Sequence, residues 1–187
     1  MSEPGSPVDR PARNGNWEEL SRTTVYEAYG RSVVEAEYRL PSGAVDVFSI
    51  RQDRSSVAVL ALTVTGEVLV TRQFRPGPGR LVHELPGGYI EDGETPAAAA
   101  ERELLEETGY AGDLEVVGSC FADSYSSAVR FCAVSRNCTR EQSPRPDSTE
   151  FMEVSEVSLP ELRRLLRSGD VTDVDLAYIG LDALGLL

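Results

Sequence analysis

The chain has 187 residues, enough for one domain with a small appendage, and its 41% hydrophobic and 26% charged residues are an ordinary globular composition. With 18 Lys and Arg against 31 Asp and Glu, the formal net charge is −13. That argues against nonspecific binding to nucleic acid or an anionic membrane, and leaves an anionic ligand only across a divalent cation or a local arginine cluster.

Met1 to Asn16 hold Pro4, Gly5, Pro7, Pro11 and Gly15 with few apolar residues. They lack the apolar stretch of a signal peptide, and residues 1–20 read as a disordered tail. Three β-type segments follow, over 24–29, 33–40 and 45–50, separated by Gly30 and by Pro41-Ser42-Gly43. We read residues 21–52 as a small antiparallel β subdomain and 53–187 as the main domain. Ser56–Thr63 is a nearly continuous apolar run, as in a strand buried on both faces. Thr65-Gly66 turns the chain into a return strand over 67–72. Pro76-Gly77-Pro78-Gly79 is a loop, residues 81–85 a strand, and Pro86-Gly87-Gly88 a second turn.

The clearest helix runs from Pro96 to Thr108, with Thr95 as N-cap, Pro96 in the first turn and Gly109 just past its end. Strands are expected over 114–121 and 129–134, a long polar loop over 136–149 and a strand over 150–157. Ser158-Leu159-Pro160-Glu161 opens a helix ending near Gly169, and residues 172–186 read as a final amphipathic helix. This order of elements suggests a mixed α/β sandwich. No apolar run approaches the roughly 18–20 residues that span a bilayer. Cys120, Cys132 and Cys138 form no CxxC pair, so buried thiols in a reducing cytoplasm are expected. The single histidine, His83, alternates with apolar neighbours and reads as a core or boundary residue.

Within the Pro96–Thr108 helix, Glu103, Glu106 and Glu107 share one face with Arg102 beside them, while Leu104 and Leu105 point away. Three adjacent carboxylates repel one another. A hard divalent cation turns that repulsion into binding, and Mg²⁺ prefers carboxylate and phosphate oxygens. A solvated acidic face is the alternative for such a cluster taken alone.

The surrounding residues read Gly88-x5-Glu94-x7-Arg102-Glu103-Leu104-x-Glu106-Glu107-x-Gly109-Tyr110. This string resembles the signature of the Nudix hydrolase family, with Tyr110 where the family usually has an aliphatic residue. The resemblance implies a Nudix-type α/β/α sandwich with a mixed sheet. It also implies cleavage of a diphosphate linked to another moiety, with Mg²⁺ as cofactor and Mn²⁺ as a substitute. Carried over by position, the resemblance implies Glu103 and Glu107 as the principal metal ligands. Glu106 is a further ligand or orients a ligand water, and the Gly87 carbonyl adds another. Arg102 pairs with Glu94 to fix the loop to the helix, and Gly88 and Gly109 permit tight turns.

Gln73-Phe74-Arg75-Pro76 and Glu84-Leu85-Pro86-Gly87-Gly88 are similar to the approach to this box in ADP-ribose and nucleotide-sugar pyrophosphatases. That branch implies a nucleoside diphosphate sugar as substrate, ADP-ribose first, and a homodimer with exchanged N-terminal strands. Arg51, Arg72 and Arg75 are candidate diphosphate contacts, because arginine matches phosphate oxygens in bidentate fashion. Tyr125 could stack on a base or sugar. Glu84 lines the metal site or ends its strand. The branch's usual Pro-Gly and loop Glu are missing from residues 121–129, so Asp123, Glu141, Glu150 and Glu153 stand as candidate bases. Trp17 covers apolar surface or closes over a partner subunit. The alternatives are another nucleotide sugar such as GDP-mannose, a pathway-specific pyrophosphate, or a sensing domain without catalysis.

Overall fold

Strand residues that face water on both sides of a sheet carry no hydrophobic alternation, and the first strand is such a case. In the computed structural model, which describes residues 15–28, 30–145 and 151–187, β1 (Glu18–Ala28), β2 (Arg31–Arg39) and β3 (Val45–Gln52) form an antiparallel sheet in that order. The strand begins at Glu18, inside the range read as tail, because Glu18 and Glu19 pair with Arg39 and Tyr38. Glu18 accepts from Arg39 Nε at 3.0 Å, and Glu19 accepts from Arg22 Nε at 2.9 Å and the Tyr38 hydroxyl at 2.6 Å. Arg22 and Tyr38 hold the Glu19 carboxyl down at about 2. Trp17 packs on Tyr38 and Phe48, with ring centroids 6.1 and 5.6 Å away. The remainder of the tail, residues 1–14, lies outside the described residues, as does Tyr29.

The larger sheet has the order β10-β5-β4-β9-β8, with β6 on β5 and β7 on β4. Its strands are β4 (Ser56–Thr63), β5 (Val68–Arg75), β6 (Arg80–Glu84), β7 (Gly87–Tyr89), β8 (Tyr110–Phe121), β9 (Val129–Arg140) and β10 (Met152–Val157). Among the paired strands of the described residues only β4 and β9 run parallel, so the sheet is mixed. The helices are α1 (Pro96–Thr108), α2 (Leu159–Ser168) and α3 (Val174–Ala183). On β4, Val57, Val59 and Ala61 pack toward Ala99, Ala100 and Leu104 of α1. Ala58 and Leu60 pack toward Leu162 of α2 and Leu176, Ala177 and Leu181 of α3. The strand is thus buried on both faces, as its unbroken apolar run requires, and the domain is an α/β/α sandwich. Each fully buried leucine contributes roughly 1.5–3 kcal/mol.

α1 matches the expected helix at both ends. Thr95 accepts from Ala98 N at 3.2 Å, and Gly109, at φ 77°, donates its N–H to Leu105 O. A Cβ at Gly109 would lie 2.2 Å from Gln142 O, so only glycine allows the later loop to close on the helix end.

Several elements differ from expectation. β5 continues past residue 72 to Arg75, because β6 supplies ladder partners out to Arg80. The stretch read as a loop from residue 136 is strand as far as Arg140. Thr139 and Arg140 pair with Ala111 and Tyr110, and Asn137, at φ 56°, absorbs the bulge. β10 begins at Met152. α3 begins at Val174 and ends at Ala183, shorter than 172–186 at both ends. The Asp173 side chain makes no cap bond because its carboxylate is held by Arg130, Thr172 and Leu85 N.

Candidate active site

The turn after β6 brings the chain beneath α1. Val59 N donates to Pro86 O at 2.8 Å, and Gly87 and Gly88 lie alongside Ala58 and Val57 as part of β7. Gly87 N donates to Glu107 Oε2 at 2.9 Å. A Cβ on Gly88 would sit 2.2 Å from Glu103 Oε1, so this glycine lets a carboxylate press onto the backbone.

Arg102 fixes the loop to the helix. It donates to both oxygens of Glu94, at 2.9 and 3.0 Å, and to Tyr89 O at 3.1 Å. The same guanidinium reaches Glu103 at 2.8 Å and Glu106 at 3.4 Å. Glu94 also accepts from Glu91 N at 3.0 Å. These bonds, the Arg102 guanidinium first, hold the Glu94 carboxyl below its ordinary range, and Glu94 in turn raises Arg102. The expected Arg102–Glu94 pairing is therefore present.

Glu103, Glu106 and Glu107 face a cavity of about 230 Å³, together with Arg54, Arg75, Gly87, Gly88, Tyr89, Glu91 and Arg102. Glu107 is 2% exposed, whereas the Glu106 side chain is 49% exposed. Among the described residues, no group of three or more His, Cys, Asp and Glu side chains is drawn together closely enough to hold a metal ion by itself. The donor set is instead oxygen-only, open on the Glu106 side, with Gly87 and Gly88 beneath it. That fits Mg²⁺, which takes one or two carboxylates and keeps positions for water and substrate phosphate.

The cavity adjoins a cleft of about 520 Å³, and Arg75, Gly87, Gly88 and Tyr89 line both. The far wall carries Glu84, Arg130, Thr172 and Asp173. Arg130 pairs with Asp173 and reaches Asp175 at 2.7 Å. Burial pushes the Asp173 carboxyl up to about 6, against the pull of Arg130. Arg31, at the start of β2, donates to the Tyr89 hydroxyl at 3.3 Å, and Arg54 lies over the Tyr89 ring at 4.8 Å.

Of the arginines named from sequence, Arg75 lies at the junction of the two spaces. Arg51 and Arg72 line neither: Arg51 pairs with Asp123, and Arg72 reaches Glu153 at 3.5 Å. Tyr125 is exposed in the loop after β8 and also lies outside both. Asp123 and Glu153 are thus committed to ion pairs. Glu141 sits past the end of α1, its N–H donated to Gly109 O, and Glu150 lies outside the described residues. Glu84 binds Arg75 and lines the cleft rather than the cavity of the three glutamates. The sequence reading missed Arg31, Arg54, Tyr89, Glu91, Arg130, Thr172 and Asp173. Tyr89 and Glu91 follow the Gly87-Gly88 turn directly, a signal that could have found them; the others come from distant segments.

His83 is half-buried on β6, with its Nδ1 lacking a hydrogen-bond partner among the described residues. Cys132 and Cys138 are buried and Cys120 half-buried. Burial pushes the Cys132 and Cys120 thiols up to about 12 and 11, so neither is a ready nucleophile. Among the described residues no helix is long and apolar enough to cross a membrane.

Residues 52–174 match the family profile described as NUDIX domain. An ADP-ribose pyrophosphatase of Bacillus subtilis (strain 168) is 34% identical over 145 residues, 76% of this chain and 78% of that protein. An ADP-sugar pyrophosphatase of Mus musculus is 34% identical over 172 residues, 82% of this chain and 72% of that one. The solved structure titled "Crystal structure of ADP compounds hydrolase" superposes with a TM-score of 0.76 at 23% identity. It covers 91% of this chain and 97% of that chain, and it shares the fold.

Proposed function

The chain belongs to the Nudix family and is a Nudix hydrolase, and from that premise we propose that it cleaves the diphosphate of a nucleoside diphosphate sugar. ADP-ribose is the favoured substrate, and the products are a nucleoside monophosphate and a sugar phosphate. The observation that carries this reading is the junction at Arg75, where an oxygen-lined acidic face opens onto a cleft large enough for the organic moieties. The names of the two relatives support the substrate class.

A bound divalent cation, Mg²⁺ or Mn²⁺ in its place, supplies charge neutralisation on the diphosphate and activation of the attacking water. Glu103 and Glu107, with the Gly87 carbonyl, would hold that cation, and Glu106 would orient a water at the open side. Arg102, tied to Glu94, keeps the helix face and the loop in register. Arg75 takes a diphosphate oxygen. Water oxygen forms a bond to one phosphorus, the bridging P–O bond breaks, and the water's proton passes to solvent.

The wider proposal has three more parts. The N-terminal sheet, residues 21–52 in our division, exchanges between the subunits of a homodimer; exposed Val25, Tyr26, Val45 and Val47 support this. Arg51 and Tyr125 then contribute within that assembly. Three free cysteines support a reducing cytoplasmic location, and the net charge of −13 supports a chain without a nucleic-acid partner.

The test is a product assay by mass spectrometry with Mg²⁺ and ADP-ribose, GDP-mannose, UDP-glucose, diadenosine polyphosphates and nucleoside triphosphates, with Glu107→Gln as control. AMP and ribose 5-phosphate from ADP-ribose, absent with the variant, is the expected result. Turnover of no nucleotide sugar overturns the proposal.

A further inference from the structure

Glu84 is a buried carboxylate that the reaction scheme leaves unused. It ends β6 and is 7% exposed. It accepts from Gln73 Nε2 at 2.8 Å and from the Thr172 hydroxyl at 2.9 Å. Its principal partner is Arg75, whose Nε lies 2.9 Å from both carboxylate oxygens and whose Nη2 lies 2.8 Å from Oε2. A buried carboxylate is unfavourable unless it is paired and hydrogen-bonded, so the fold commits this one to a single guanidinium.

Arg75 needs such a commitment. It is the last residue of β5, followed by the Pro76-Gly77-Pro78-Gly79 turn, and its side chain is 41% exposed at the junction of cavity and cleft. An arginine side chain carries a large rotamer entropy. If that is lost when a diphosphate arrives, affinity falls; if it is lost on folding, the site is preorganised. Glu84 is itself anchored from two directions, by Gln73 on its own sheet and by Thr172 ahead of α3. Thr172 also reaches Asp173 at 3.3 Å, and Asp173 accepts from Leu85 N at 3.2 Å. The anchor is thus built from β5, β6 and the segment entering α3.

We propose that Glu84, held by Gln73 and Thr172, is a positioning residue that presets the Arg75 guanidinium for an incoming diphosphate. The proposal rests on the reading that Arg75 contacts the diphosphate. It assigns Glu84 to the substrate side of the site and away from the metal.

A double-mutant cycle tests it. ADP binding is measured by calorimetry in EDTA for the wild type, Glu84→Gln, Arg75→Gln and the double variant, and KM, kcat and the Mg²⁺ dependence are measured with ADP-ribose. We expect Glu84→Gln to weaken ADP about tenfold, Arg75→Gln about thirtyfold, and the double variant no more than Arg75→Gln alone. KM rises with Glu84→Gln, while kcat stays within about threefold and the half-saturating Mg²⁺ concentration does not move. Thr172→Val, which keeps the charge, weakens ADP about threefold. It replaces Glu84→Gln in the cycle if that variant does not fold. Wild-type affinity in Glu84→Gln, additive losses in the double variant, a shifted Mg²⁺ dependence, or a wild type that binds ADP no better than Arg75→Gln each overturn the assignment. If the wild type turns over no nucleotide sugar, the proposed function fails, yet the ADP cycle still decides the role of Glu84.

Discussion

The acidic wall of the cavity and the charged wall of the adjoining cleft are built by opposite routes. The acidic wall comes from one stretch of chain, Gly87 to Glu107, and its geometry is the geometry of one turn and one helix. The facing wall takes Arg75, Glu84, Arg130, Thr172 and Asp173 from four separate segments, brought together by strand register. The acidic wall gathers like charges and relies on Arg102 to hold them. On the facing wall each cation has an anion beside it: Arg75 with Glu84, and Arg130 with Asp173 and Asp175. The first wall gathers negative charge that a cation would offset, whereas the second already has its charges paired.

The contrast breaks down if damage to the two walls looks alike. The largest effect is expected on the acidic wall: Glu103→Gln and Glu107→Gln each lower kcat about 10³-fold. The more exposed Glu106→Gln loses about tenfold, and steady-state kinetics at saturating Mg²⁺ separates the three. Next, Glu94→Gln, which touches only Arg102 and the loop backbone, loses 10- to 100-fold through displaced ligands, as removal of an outer partner does at metal sites. It raises the Mg²⁺ concentration needed for half-maximal rate.

Gly88→Ala places a methyl against Glu103 and lowers kcat/KM about tenfold, with an unchanged thermal midpoint. The last effect lies on the balanced wall and is one of stability rather than rate. The Asp173 carboxyl sits at about 6 in the fold against an ordinary 3.8, so its contribution favours folding most at low pH. That contribution is lost as pH rises from about 4 through about 6, and amounts to no more than about 3 kcal/mol. Asp173→Asn removes this component, which a series of urea midpoints across that range reads directly.

The same contrast accounts for what was legible in the sequence. Thr95, Pro96 and Gly109 mark the ends of α1, and helical periodicity places Glu103, Glu106 and Glu107 on one face before any coordinates. Ser56–Thr63 announces a doubly buried strand by its unbroken apolar run. By contrast, Arg130 looks like any strand arginine until the parallel pairing sets it opposite Ser56. Asp173 looks like a helix cap until its carboxylate is seen turned to Arg130 and Leu85 N. The first residues of β1 and the far end of β9 were hidden for a related reason: most of their side chains meet water, so ladder partners rather than an apolar pattern make them strands. Arg51 and Arg72 show the converse, in that residue type alone does not place a side chain. Residue type suggested phosphate binding, but each is placed beside a carboxylate outside the cleft.

The parallel pairing of β4 and β9 governs how this protein comes to fold. A hairpin such as β5–β6 closes over a few residues, but β4 must wait for most of the domain before β9 can lie beside it. Closing so long a loop is slow relative to helix or hairpin formation. During synthesis, α1 and its acidic face therefore emerge while the central strand still lacks one neighbour. The charged wall of the cleft takes Arg130 from β9 and Thr172 and Asp173 from the entry to α3, so it can be completed only after both have docked.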